Sequence, residues 1–172
     1  KPKVYAFVDT LSNALSENSL TVVGNGSACV VGSQAFCIKA GERFLINSAV
    51  ASMGYDLPAS CGAYLGSGKE VICITGDGSL QMNIQELQTI VTNEFPIKIF
   101  VINNGGYHSI RQTQRNFYPE RKPVGTGYDS GDLSFPDLSK IAYAYGYKYF
   151  SCHSNKELKS SIGEALSTQG RL

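Results

Sequence analysis

"VICITGDGSLQMNIQELQTIVTNEFPIKIFVINNGG", residues 71–106, holds two apolar runs separated by a stretch of helical period. The runs, VICIT and IKIFVI, are nearly continuous in apolar residues, as expected of parallel strands buried on both faces. Between them Ile84, Leu87, Ile90 and Val91 recur at intervals of three and four, which predicts one helix over 80–92 with a single apolar face. Strand, helix and strand in this order make a βαβ unit with the helix packed on the sheet.

The alternation continues outward from this unit. Strands are expected at 20–23, 43–46, 70–75, 97–102 and 147–151, and further helices at 4–15, 57–64, 135–145 and 155–166. Ser134 and Pro136 suit the start of the helix at 135–145, and Ser154 or Asn155 that of the last helix. Residues 115–131, RNFYPERKPVGTGYDSG, show no period and read as a long loop. The closing TQGRL, 168–172, reads as a strand cut off as it begins. The expected fold is α/β: one domain over 1–172 with a doubly wound, mainly parallel sheet and helices on both faces.

At 172 residues, 42% hydrophobic and 17% charged, the chain can bury a sizeable core, which disfavours disorder and coiled coil. Fifteen basic residues against fourteen acidic leave a net charge of +1, with no electrostatic footprint for nucleic acid or anionic lipid. No apolar run approaches the roughly 20 residues of a membrane span, and KPKVYAFVDT has no signal-peptide core. The expectation is a cytoplasmic protein with no membrane and no nucleic-acid partner. Cys29, Cys37, Cys61, Cys73 and Cys152 are odd in number, lack a C-x-x-C pair and mostly sit among apolar residues, so they read as buried, reduced thiols.

Three glycine turns fall at the carboxyl ends of strands, where parallel sheets bind ligands. They are Gly24-Asn25-Gly26, Gly76-Asp77-Gly78 and Asn104-Gly105-Gly106. The helix opening near Ser79 offers free amides and a dipole that favour an anion such as phosphate. Asp77 repels a bare phosphate, and a divalent cation such as magnesium resolves the conflict by accepting carboxylate, amide, carbonyl and phosphate oxygens together. Asn104 follows Asp77 by 27 residues, one helix and one strand, so both reach the same sheet edge. Other readings stand beside this one: Asp77 as a helix cap, Asn103 and Asn104 as turn residues, Met53 as core filler. A dinucleotide fingerprint at Gly24-Asn25-Gly26 fails, because its third glycine position holds Cys29 and no acidic residue follows a second strand.

Gly76-Asp77-Gly78 followed by Asn103-Asn104 resembles the signature of thiamine diphosphate-dependent enzymes. Ser48 to Gly66, SAVASMGYDLPASCGAYLG, is similar to a glycine- and alanine-rich stretch of the same family, in its acetolactate synthase-like branch. The likeness covers the whole chain as a diphosphate-binding domain, one of three domains in a full-length enzyme. It implies that Asp77, Asn104 and the carbonyl of Gly106 hold magnesium. It places Asn25, Gly26, Ser27, Ala28, Ser52, Gly76, Gly78, Ser79, Tyr107 and His108 around thiamine diphosphate. Met53 would support the bent cofactor from beneath, bringing the pyrimidine amino group to the reacting thiazolium carbon. The implied activity is decarboxylation or carboligation of a 2-oxo acid, with the cofactor as electron sink.

The resemblance also implies a glutamate from a pyrimidine-binding domain of the same or a partner chain, in a homodimer or homotetramer. No stretch of this chain matches that domain, and Glu86 sits too far along its helix to serve. Isolated, the chain is expected to be inactive. The acetolactate synthase branch carries Gln and His where Ser27 and Ala28 stand, and a tryptophan where Thr113 stands; this chain has no Trp. Decarboxylases, carboligases and sugar-pathway relatives therefore remain open, as do one subunit of a two-chain decarboxylase and a non-catalytic phosphate- or nucleotide-binding module. His108 and Arg111 either face a substrate carboxylate or lie on the surface, and Asp56, where relatives usually carry glycine, has no role at this stage.

Overall fold

Val71 and Cys73 pack into one hydrophobic cluster while their neighbours Ile72 and Ile74 pack into another, so a single strand is buried on both sides. That alternation puts helices on both faces of the sheet. In the computed structural model, which describes residues 1–168, the order is α1 (Val4–Ala14), β1 (Leu20–Val23), α2 (Ser27–Ala35), β2 (Arg43–Ile46), α3 (Asp56–Ser67), β3 (Val71–Gly76), α4 (Asp77–Met82), α5 (Glu86–Thr92), β4 (Ile97–Ile102), α6 (His108–Phe117), α7 (Leu138–Ala144) and α8 (Leu158–Ser167). The strands lie in the order β2-β1-β3-β4, every pair parallel. The register aligns Leu20 with Val71, and Val71 with Ile97.

On one face Leu57 and Cys61 of α3, Leu80 of α4 and Leu87 and Ile90 of α5 cover Leu20, Val22 and Ile97. On the other Leu11, Ala28, Leu158 and Ile162, from α1, α2 and α8, cover Val23 and Ile102. This is the doubly wound α/β architecture expected. Each fully buried aliphatic chain contributes about 1.5–3 kcal/mol, so both clusters fix the height of the strand ends. Among the described residues no helix is long and apolar enough to cross a membrane.

The structure corrects the expected burial of the cysteines, since Cys61 and Cys73 are buried but Cys29 and Cys152 are only partly so and Cys37 is exposed, and it corrects several boundaries. The helix expected over 80–92 is two: it starts at Asp77 and breaks after Met82. Asn83 leaves the helical ladder because its Nδ2 donates to the carbonyl of Gly54 at 2.7 Å, a tertiary bond that outweighs local propensity. The fifth strand, at 147–151, does not form. Instead, residues 147–153 and β4 line a cleft of about 540 Å³, and Tyr147 is buried with its hydroxyl donating to the Leu87 carbonyl at 3.4 Å. Asp137, not Ser134, caps α7, its carboxylate accepting from Ser139 N at 2.9 Å. In α8 neither Ser154 nor Asn155 is the cap; that position is Glu157. The expected strand start at 168–172 lies outside the described residues except for Thr168, which closes α8.

Two helices were not expected from the sequence. In α6, HSIRQTQRNF, the only large apolar residues are Ile110 and Phe117, both exposed, while Arg111 is buried. The loop after it is ordered by polar bonds. Gln114 pairs with both the N–H and the carbonyl of Val124 at 2.8 and 2.9 Å, and Arg111 and Arg115 both reach Asp129, at 3.1 and 2.9 Å. The other missed helix, α2, follows Gly26, whose φ of 64° turns the chain from β1 into it.

Candidate functional site

The ends of β1, β3 and β4 face one cleft of about 240 Å³. Asn25, Gly26, Ser27 and Ala28 line it from the β1 turn, and Met53 with Ala51 from the turn before α3. Gly76, Asp77, Gly78 and Ser79 line it from the end of β3 and the start of α4. Asn104, Gly106, Tyr107 and His108 come from the β4 turn. Thirteen of the fourteen residues expected from the sequence are thus brought together. Ser52 is not: it is exposed and outside the lining, although both its neighbours are in it. Ala51, Ile102, Ser109 and Ile110 also line the cleft and were not expected; Ser109 and Ile110 were missed with α6, whose polar sequence hid the helix start.

Neither α2 nor α6 has a side-chain cap among the described residues, so their first-turn amides, apart from that of His108, which donates to the Gly106 carbonyl, are left for a ligand at the cleft. At Gly78 a Cβ would stand 2.5 Å from Cε1 of Tyr107, so only glycine lets that ring close the wall.

Asp77 does more than the sequence indicated. Its Oδ2 accepts the N–H groups of Gly105 and Gly106 at 2.8 and 3.0 Å, and its Oδ1 that of Gly78 at 3.0 Å. The carboxylate therefore clamps the turn after β4 to the end of β3. Burial raises its pKa above the usual carboxylate value, and the three amide bonds oppose that rise. A carboxylate has about four lone-pair positions, so one remains for a further partner. Beside it, Oδ1 of Asn104 is buried with no hydrogen-bond partner. Among the described residues the Gly106 carbonyl accepts only the N–H of His108, at 3.1 Å, leaving its second lone pair free. A buried carboxylate oxygen, an orphaned amide oxygen and a half-used carbonyl suit a hard cation such as magnesium. Among the described residues no group of three His, Cys, Asp or Glu could hold a metal.

Arg111 does not face the cleft: it is buried, donates to the Asn104 carbonyl at 3.4 Å and pairs with Asp129. It steadies the backbone of the turn after β4 and does not line the cleft. Thr113 is exposed on α6 outside the cleft. Asn103 is exposed, as a turn residue would be. Asn25 donates its side-chain amide to the carbonyl of Ala51, which holds a positive φ of 53° despite its side chain. Glu86 does not line the cleft, and Asp77 is the only acidic residue that does among the described residues.

Comparison with known proteins accords with this geometry. The model of the thiamine pyrophosphate enzyme C-terminal TPP binding domain matches residues 24–172. The chain is 41% identical over 129 residues to an acetolactate synthase large subunit of Cyanidium caldarium, covering 74% of this chain and 21% of that protein. It is 38% identical over 125 residues to the Porphyra purpurea large subunit, covering 72% and 20%. It is also 38% identical over 123 residues to the isozyme 3 large subunit of Escherichia coli K12, covering 70% and 21%. The chain spans about a fifth of the length of the curated relatives it matches.

Proposed function

The chain belongs to the thiamine pyrophosphate (thiamine diphosphate) enzymes, as a C-terminal TPP binding domain of the acetolactate synthase-like kind, and from that premise we propose that the cleft holds the cofactor through magnesium. The observation that carries the magnesium reading is the buried, unpartnered Oδ1 of Asn104 beside the Asp77 carboxylate. In this reading Asp77, Asn104 and the carbonyl of Gly106 ligate the metal. The helix start at Ser79 and the unpaired first-turn amides of α2 and α6 bind the diphosphate oxygens, and Met53 supports the cofactor ring.

When bound, the cofactor supplies an electron sink for decarboxylation or carboligation of a 2-oxo acid. The chain's own residues bind, orient and exclude water; none is placed to move the proton that starts the reaction. That task falls to a glutamate of a pyrimidine-binding domain, in the same or a partner chain of a dimer or tetramer. The 172-residue chain alone is therefore expected not to turn over pyruvate.

Calorimetry with thiamine diphosphate and magnesium tests the site. Asp77→Ala and Asn104→Ala are each expected to weaken magnesium-dependent binding by about 10- to 100-fold, and Asn104→Ala, which leaves the Asp77 clamp in place, to have little effect on what binding persists in EDTA. Wild-type affinity in either variant contradicts the metal assignment.

A further inference from the structure

Asp56 is a second buried carboxylate, fully removed from solvent and outside the proposed metal set. Its Oδ2 accepts the hydroxyls of Thr75 at 2.7 Å and Ser79 at 2.6 Å, and its Oδ1 accepts the N–H of Leu57 at 3.0 Å. Room for it exists because residue 24 is glycine: a Cβ there would stand 2.1 Å from Asp56 Oδ2.

The bond to Ser79 has a directional consequence. A serine hydroxyl has one hydrogen and two lone pairs. With that hydrogen aimed at Asp56, the Ser79 oxygen is left as an acceptor, and the N–H of Gly54 donates to it at 2.8 Å. The Gly54 carbonyl in turn accepts from Asn83 at 2.7 Å, so both backbone groups of Gly54 are held. Gly54 lies at φ 82°, where a Cβ would meet Asn83 Nδ2 and Met82 Cβ at 2.8 Å. At the other end of this turn Asn25 holds the carbonyl of Ala51. Met53 sits between the two anchors and lines the cleft.

We propose that Asp56 is a positioning residue: through the Ser79 hydroxyl and the Gly54 backbone it sets the height of Met53 against the ring end of the bound cofactor. This rests on the reading of the cleft as a thiamine diphosphate site. Without the carboxylate the Ser79 hydroxyl turns freely, Gly54 loses a fixed acceptor, and the Met53 turn loosens while the phosphate end keeps its contacts.

The test uses the full-length protein and its Asp56→Asn and Asp56→Gly variants, with two readouts. In cofactor-free protein, amide exchange at Gly54 is expected to speed up while that of β3 is unchanged. With magnesium, affinity for thiamine diphosphate is expected to fall about tenfold and affinity for inorganic diphosphate, which has no ring, to change less than about twofold. Equal loss for both ligands makes Asp56 merely structural and overturns the proposal, as does unchanged Gly54 exchange in a variant. Should the wild type itself fail to bind thiamine diphosphate, the cofactor reading falls and this proposal with it; wild-type binding with unaffected variants sinks the proposal alone.

Discussion

The junction around Asp56 and Asp77 and the strap formed by α6 and the loop after it both support the same cleft, yet they hold by opposite electrostatics. In the junction, burial pushes both carboxyls above their usual range, and their partners are hydroxyls and backbone amides. In the strap, hydrogen bonding and charge from Arg111, with Arg115 adding to them, pull Asp129 below that range. Neutral donors in a low-dielectric interior give fixed geometry that salt does not screen, whereas the exposed side of an ion pair is screened within a Debye length of about 8–10 Å. A rigid floor and a salt-sensitive wall thus share one site.

The largest effect that can break this comparison is expected at Gly24. Gly24→Ala forces a methyl onto Asp56 and should cost about 3 kcal/mol in denaturant unfolding, an overpacking penalty. The Gly24→Ala/Asp56→Gly double variant should recover much of that loss, since the clash is gone. Simple additivity of the two single effects would mean that the junction is not the rigid floor described.

A smaller and local effect is expected from Arg111→Ala. Releasing both Asp129 and the Asn104 carbonyl should speed amide exchange across 118–131 and leave β3 protected. Equal acceleration in β3 would erase the distinction between floor and wall.

The smallest effect is in the response to pH. Asp129, with its pKa lowered, contributes stability that is present above the unfolded value of about 3.9 and lost as pH falls through the folded value. Asp56, with its pKa raised, contributes in the reverse sense: fully present below about 3.9, lost as pH rises through its folded value. Urea midpoints of metal-free wild type and Asp56→Asn across this range should therefore diverge toward neutral pH, the variant losing less. Parallel curves would show that burial of Asp56 carries no such cost.

How much was legible in the sequence follows the same division. The four strands and the two-sided core could be read because short apolar runs alternating with helical periods suit a parallel sheet covered on both faces, although the run at 147–151 did not become a strand. The glycine turns at strand ends pointed to the cleft, and thirteen of the expected residues do line it. The α6 helix could not be read, because Arg111 takes the buried position an apolar residue would have marked. Nor could the break at Asn83, whose cause is a carbonyl 29 residues away.

By itself the sequence determined the alternation of strands and helices, the position of an aspartate and an asparagine at adjoining strand ends, and membership in the family that this spacing resembles. Those are local properties, set by periodicity, turn chemistry and spacing along the chain. Only the tertiary structure decided what Asp77 and Asp56 touch. The Gly105 and Gly106 amides reach Asp77, and the Ser79 and Thr75 hydroxyls reach Asp56, because the parallel register sets β1, β3 and β4 side by side. A hydrogen bond acts over about 3 Å in space, and no sequence spacing encodes that distance until the sheet has formed.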